Sequence, residues 1–286
     1  MIRLDAATVL LQWATGGLLF LWVTTRRREV GIGYGWLLRA VYATLALGAA
    51  AAGAFVDGEP VRDVCAIGVV IAATVALAVS VARRRAGVAG ERARKARKAS
   101  RVAAMAGKQA PEEVADPGES RVREFPPFLD LPAPLIGLVG LVAAGIAAGD
   151  PQWLAVARTV AGALFLGAVS DAMLLGHWYL VQPGLGRGPL LELNRWLALT
   201  WPLEVVLLLW PTGMFSVLSG SVDDGWGGTL GWFWVACAVT TLVLTAVTRA
   251  ALQEKAYSAV MAATGLLYLA ILPAFGTDLV ARAVLA

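Results

Sequence analysis

Apolar residues run along this chain in long stretches, near 6–24, 36–55, 64–82, 132–149, 153–181, 190–210, 228–250 and 256–276. As helices rising 1.5 Å per residue, stretches of about 18 residues or more cross a hydrocarbon core about 30 Å thick. Charged residues, Gly and Pro bound them, as expected where a helix leaves the bilayer. The pattern predicts an all-α fold: a polytopic integral membrane bundle of about eight transmembrane helices with no sizeable soluble domain.

Composition agrees. Of 286 residues, 58% are hydrophobic and 15% charged, whereas soluble domains are about 45–50% apolar and about 25% charged. The first apolar run does not read as a cleavable signal, because only Arg3 precedes it and the cluster Arg26-Arg27-Arg28 follows it. It reads as a retained first helix.

Charge sets the orientation. Arg26, Arg27 and Arg28, the cluster from Arg83 to Arg123, Arg187, Arg249 and Lys255 fall on one side of the predicted spans. Loops on the other side carry Asp57, Glu59, Asp63, Asp150, Asp223 and Asp224 with only Arg62. Lys and Arg near span ends favour cytoplasmic retention, so both termini are expected outside. The chain is expected in the cytoplasmic (plasma) membrane, the cell inner membrane.

Residues 83–127 hold 12 of the 24 basic residues and 6 of the 20 acidic ones, so the rest of the chain is slightly acidic. This segment divides the chain into a membrane domain of three helices over residues 1–82, a basic cytoplasmic loop 83–127, and a membrane domain of five helices over residues 128–286. Good helix formers fill the loop from Glu91 to Arg101, while 109–124 mixes Pro, Glu, Gly and Ser and is expected to be flexible. Such a run reads as a solvated, topology-setting linker or, alternatively, as an anionic-lipid contact through residues 83–108. No recognisable module accompanies the charge, so nucleic acid is not an expected partner; the lipid bilayer is.

Familiar catalytic motifs are absent: no Walker loop, HExxH or GxSxG occurs. The glycines of Gly31-Ile32-Gly33-Tyr34-Gly35 read as a turn between the first two spans. Cys65 and Cys237 sit in separate spans without metal-ligand spacing, so neither zinc nor a disulfide framework is suggested. Most of the eleven Trp mark span ends, where amphipathic rings prefer the headgroup level.

Two groups of residues stand out. The only histidine, His177, lies near the cytoplasmic end of the fifth span, followed by Trp178 and Tyr179. The short 182–189 connection places it at about the depth of Glu192, Asn194 and Arg195 on the sixth span, with Arg39 on the second also near. Such a cluster suits a flat, polar-headed ligand such as a quinone, or a haem. A single His excludes bis-histidine ligation within one chain, and Met173, one turn away on the same helix, cannot be the opposite axial ligand.

The second group is a pair of acids within apolar runs, Asp171 and Glu204. A charged side chain there costs at least about 2.5–3.5 kcal/mol, so such acids are protonated, paired or facing water, and they mark proton paths. Arg158 and the Thr241, Thr245 and Thr248 stripe are their expected neighbours. Two functions follow: a binding or electron-transfer-associated subunit of a membrane complex with its ligand at His177, and a proton-coupled small-solute transporter using Asp171 and Glu204. Neither makes the chain an enzyme on its own.

Overall fold

The computed structural model describes residues 2, 4–56, 58–105, 123–182, 184–211 and 213–286. Among them all regular structure is helical: α1 (Ala6–Thr25), α2 (Ile32–Phe55), α3 (Pro60–Ala82), α4 (Ala89–Met105), α5 (Pro132–Ala148), α6 (Gln152–Val181), α7 (Gly188–Leu209), the short α8 (Met214–Leu218), α9 (Thr229–Gln253) and α10 (Tyr257–Val284). Seven segments are long and apolar enough to cross a membrane: α1, α2, α3, α5 together with the turn before it (Pro127–Ala148), α6, α9 and α10. The chain is a polytopic helical membrane bundle.

The eighth expected span, α7, has the length but not the composition, because every 18-residue window of it contains Glu192, Arg195 and Glu204. Beyond its first two turns its polar residues turn inward, with Thr200 and Glu204 buried as Asn194 is, while Trp196, Leu199, Leu203 and Val206 are exposed, as is Arg195 nearer its start. That arrangement is the reverse of a water-soluble amphipathic helix. On α3 likewise, Val61, Val64, Ile67, Ile71 and Val75 face out, and Ala66, Ala73, Ala76 and Ser80 face in.

Helix ends explain where the expected boundaries move. Glu59 caps α3 by accepting from the Val61 and Arg62 amides, and Pro60 takes the first turn, so α3 begins before residue 64. The glycine-rich segment expected as a turn opens α2 instead, with Gly31 as its cap. α10 runs past residue 276 to Val284, through Pro273. The basic loop forms α4 in its first half; the flexible stretch expected at 109–124 falls almost wholly on 106–122, outside the described residues.

α1 and α6 are the most deeply enclosed of the seven apolar helices. Without water to drive apolar faces together, membrane helices rely on close packing of small residues. A Cβ on Gly16 would stand 1.8 Å from the Ala163 carbonyl oxygen, and one on Gly167 would stand 2.2 Å from Gly16 backbone. Only glycine at both positions lets α1 and α6 cross this closely. Their contact aligns the polar side chains described next.

Candidate functional site

Four ionisable side chains meet inside the bundle where the start of α6 meets the ends of α7 and α10. Arg158 lies on α6, Glu204 on α7, and Asp278 and Arg282 on α10; none is more than 1% exposed. Arg282 Nε donates to Asp278 Oδ2 at 2.8 Å, one helical turn away. Arg158 Nε donates at 2.8 Å to the carbonyl of Leu207, one of the last carbonyls of α7, which lack a partner within the helix. This bond places a guanidinium at the negative end of the α7 dipole.

Glu204 lies in the field of both arginines and within hydrogen-bonding reach of the Asp278 carboxyl. Among the described residues, neither Glu204 oxygen receives an N–H or O–H donor, and Asp278 Oδ1 is likewise without one. A contact between two carboxyls is a hydrogen bond only when one of them carries a proton. Gln12 of α1 adjoins them: a Cβ on Gly162 would stand 2.1 Å from its Nε2 and 2.7 Å from Asp278 Oδ1. Among the described residues the fully buried Gln12 amide is unpartnered at both ends, and Arg158 Nη2 is also unpartnered.

Asp171 occupies a separate position, among α1, α2 and α6. Tyr42 Oη donates to its Oδ1, Tyr34 Oη donates to its backbone carbonyl at 3.5 Å, and its Oδ2 has no partner among the described residues. The neighbouring Ser170 Oγ accepts from Trp13 Nε1 at 2.8 Å. Nine residues of α6 separate Asp171 from Gly162, about 13 Å along the axis. The two acids are therefore distinct stations. The α9 threonines mostly bond within their own helix: Thr241 and Thr245 donate to the carbonyls of Cys237 and Thr241, while Thr248 Oγ1 has no partner.

The residues expected around His177 are not gathered into one site. His177 points outward, exposed, with Nδ1 2.9 Å from Tyr268 Oη of α10 rather than toward α7. Trp178 turns toward α2, donating to Gln182 Oε1 at 2.7 Å and lying beside the Tyr34 ring. Tyr179 is buried and donates to the Gly186 carbonyl. Glu192 pairs with Arg26 and Arg27 at 2.5 and 3.0 Å, tying the first basic loop to α7. Arg39 is held by Asp130 and stacks on Phe125 with 4.3 Å from Cζ to the ring centroid. The cavity beside Arg39, of about 30 Å³, has room for about one water. Asn194 and Arg195 alone share a larger space, a groove of about 660 Å³ between α7 and α9.

Among the described residues, no three His, Cys, Asp or Glu side chains converge as a metal site requires. Comparison with known proteins finds no matching family model, curated protein or solved structure. Sequence reasoning found Glu204 and Arg158 but missed Asp278, Arg282 and Gln12. The i, i+4 spacing of Asp278 and Arg282, followed by Val284, was the available signal that the last helix continued.

Proposed function

We propose that the chain is a proton-linked small-solute transport protein whose proton site is the pair Glu204–Asp278. The observation that carries this reading is the enclosure of Glu204 and Asp278 in the bundle interior with Arg158 and Arg282, none more than 1% exposed, where neither Glu204 oxygen nor Asp278 Oδ1 has a donor among the described residues. Such a pair takes up and releases one proton as a unit. Losing it leaves two like charges side by side, which favours their separation, and gaining it favours their contact. Proton binding is in this way linked to how α7 and α10 sit against each other.

Both helices are built to yield. Pro202 lies two residues before Glu204 and Pro273 five before Asp278, and each removes an N–H that would bond the carbonyl four residues back. Asp171, with Tyr42, serves as a second proton-handling group nearer the other ends of α1 and α6. The binding-subunit reading, with a quinone or haem at His177, has less support, since His177 faces outward and Glu192 and Arg39 are committed to ion pairs.

The orientation we assign has both termini outside and the basic loop 83–127 in the cytoplasm, with α7 as the eighth crossing in the cytoplasmic membrane. The loop charges support it, as does the outward apolar face of α7. α4 then lies near anionic headgroups on the cytoplasmic side. Purified full-length chain in vesicles containing a trapped pH dye tests the function. An external acid pulse should collapse across wild-type vesicles faster than across protein-free ones, and both Glu204→Gln and Asp278→Asn should return the rate to the protein-free level. A wild-type chain no faster than empty vesicles, or a double variant as fast as wild type, overturns the reading.

A further inference from the structure

The groove between α7 and α9 is separate from the proton site and does not depend on it. Its apolar wall comes from Leu242, Ala246 and Ala198, and its polar end from Arg195, Arg249 and Asn194. At about 660 Å³ it falls within the usual range of ligand pockets, roughly 300–1,000 Å³. Arg195 lies seven residues into α7 and Arg249 four before the end of α9, which puts both within about 10 Å of the helix ends. That is interfacial depth.

Charge narrows the occupant. Arg195 and Arg249 are exposed and make no ion pair among the described residues, in contrast to Arg26, Arg27, Arg39 and Arg62, which all have carboxylate partners. Asn194 is 1% exposed, and its Nδ2 donates at 3.1 Å to the Thr245 carbonyl. That bond must come from the amide NH₂, which fixes the orientation of the side chain. Its Oδ1 is therefore turned elsewhere, buried and without a donor. Two exposed guanidiniums without an ion-pair partner among the described residues call for an anion.

The geometry points to a binding site for an anionic phospholipid, of which phosphatidylglycerol is the simple case. Its phosphate lies between Arg195 and Arg249, and an acyl chain follows Leu242 and Ala246 into the bilayer. Guanidiniums pair with phosphate through charge-assisted bonds, and the apolar wall accepts a chain that free phosphate lacks.

The test is native mass spectrometry of the full-length chain in neutral detergent, titrated with phosphatidylglycerol, phosphatidylcholine or inorganic phosphate. One phosphatidylglycerol should bind per chain in preference to phosphatidylcholine, and inorganic phosphate should not compete at equal concentration. Arg195→Gln with Arg249→Gln should weaken binding roughly thirty-fold. Because both side chains are exposed, the fold should survive, as the melting temperature would report. A control with Lys95, Arg97 and Lys98 of α4 changed to Gln should bind as wild type does. Unchanged affinity in the double arginine variant, loss only in the α4 variant, equal binding of phosphatidylcholine, binding of phosphate alone, or a dimer that occupies the groove would each overturn the site. Proton flux in the arginine variants is a separate readout, since Glu204 and Asp278 stay intact.

Discussion

Arg39 and Asp130 form a two-point ion pair, Nε to Oδ1 at 2.7 Å and Nη2 to Oδ2 at 2.8 Å, with both side chains almost wholly buried. The pair ties α2 to the 3-10 turn Pro127–Asp130 that leads into α5, and Thr25 of α1 donates to the same carboxylate at 3.1 Å. Two helices before the basic loop and the turn after it are thereby fixed at one point. The sequence placed Arg39 in a ligand cluster because its partner lies 91 positions away, beyond any local spacing rule.

Removing one partner strands the other. Asp130→Ala should lower stability by about 3–5 kcal/mol, whereas the apolar pair Arg39→Met with Asp130→Leu should recover much of the loss. Thermal unfolding of the purified protein in detergent checks this. A single variant as stable as wild type would show that the pair does not hold the turn.

The helices were legible because apolar runs of spanning length leave little choice of structure. The site was legible only where a charge interrupts such a run, as at Asp171 and Glu204. Asp278 and Arg282 were hidden because Pro273 and Gly276 resemble the end of a helix, yet α10 accommodates both. The direction of His177 was hidden for a different reason. α6 is apolar almost all round, so its sequence has no stripe from which to read its rotation. The ends of α7 were legible, but the inward turn of its polar face was not, since that depends on α6 and α9 beside it.

Asp224 predicts a local dependence on pH outside the membrane segments. Its carboxylate receives backbone amides from Gly228, Trp226, Leu230 and Gly231 at the entry to α9. The Gly228 amide first, with the others adding to it against a smaller effect of burial, holds its pKa below the usual carboxylate value. A depressed folded-state pKa contributes stability that is present above the unfolded value, about 3.9, and is lost as pH falls through the folded value. Acidification through this window should loosen the start of α9, seen as a change in Trp226 emission or faster amide exchange at Gly228 and Leu230. Asp224→Asn should remove most of that dependence, and an unchanged profile in this variant would assign the effect to another group.

Topology gives the remaining prediction, and α7 decides it. Seven crossings would put the two ends of the chain on opposite sides, whereas an eighth puts them on the same side. The outward row Trp196, Leu199, Leu203 and Val206 gives α7 a lipid-compatible face, and 22 residues give it about 33 Å, enough to span. Two of its three charges have partners, Glu192 in Arg26 and Arg27 and Glu204 in the field of the α6 and α10 arginines, while Arg195 stays exposed toward the end of the helix. The cost of inserting it is thereby lowered by partners already in place. A reporter active only in the cytoplasm should give signal when fused after residue 110 and none when fused after Asp224 or at Ala286. Signal at Ala286 together with residue 110 would mean an even number of crossings between them, where the eight-span arrangement has five. It would place α7 along the membrane surface, and with it the Glu204–Asp278 pair outside the hydrocarbon, where a proton-linked role loses its physical basis.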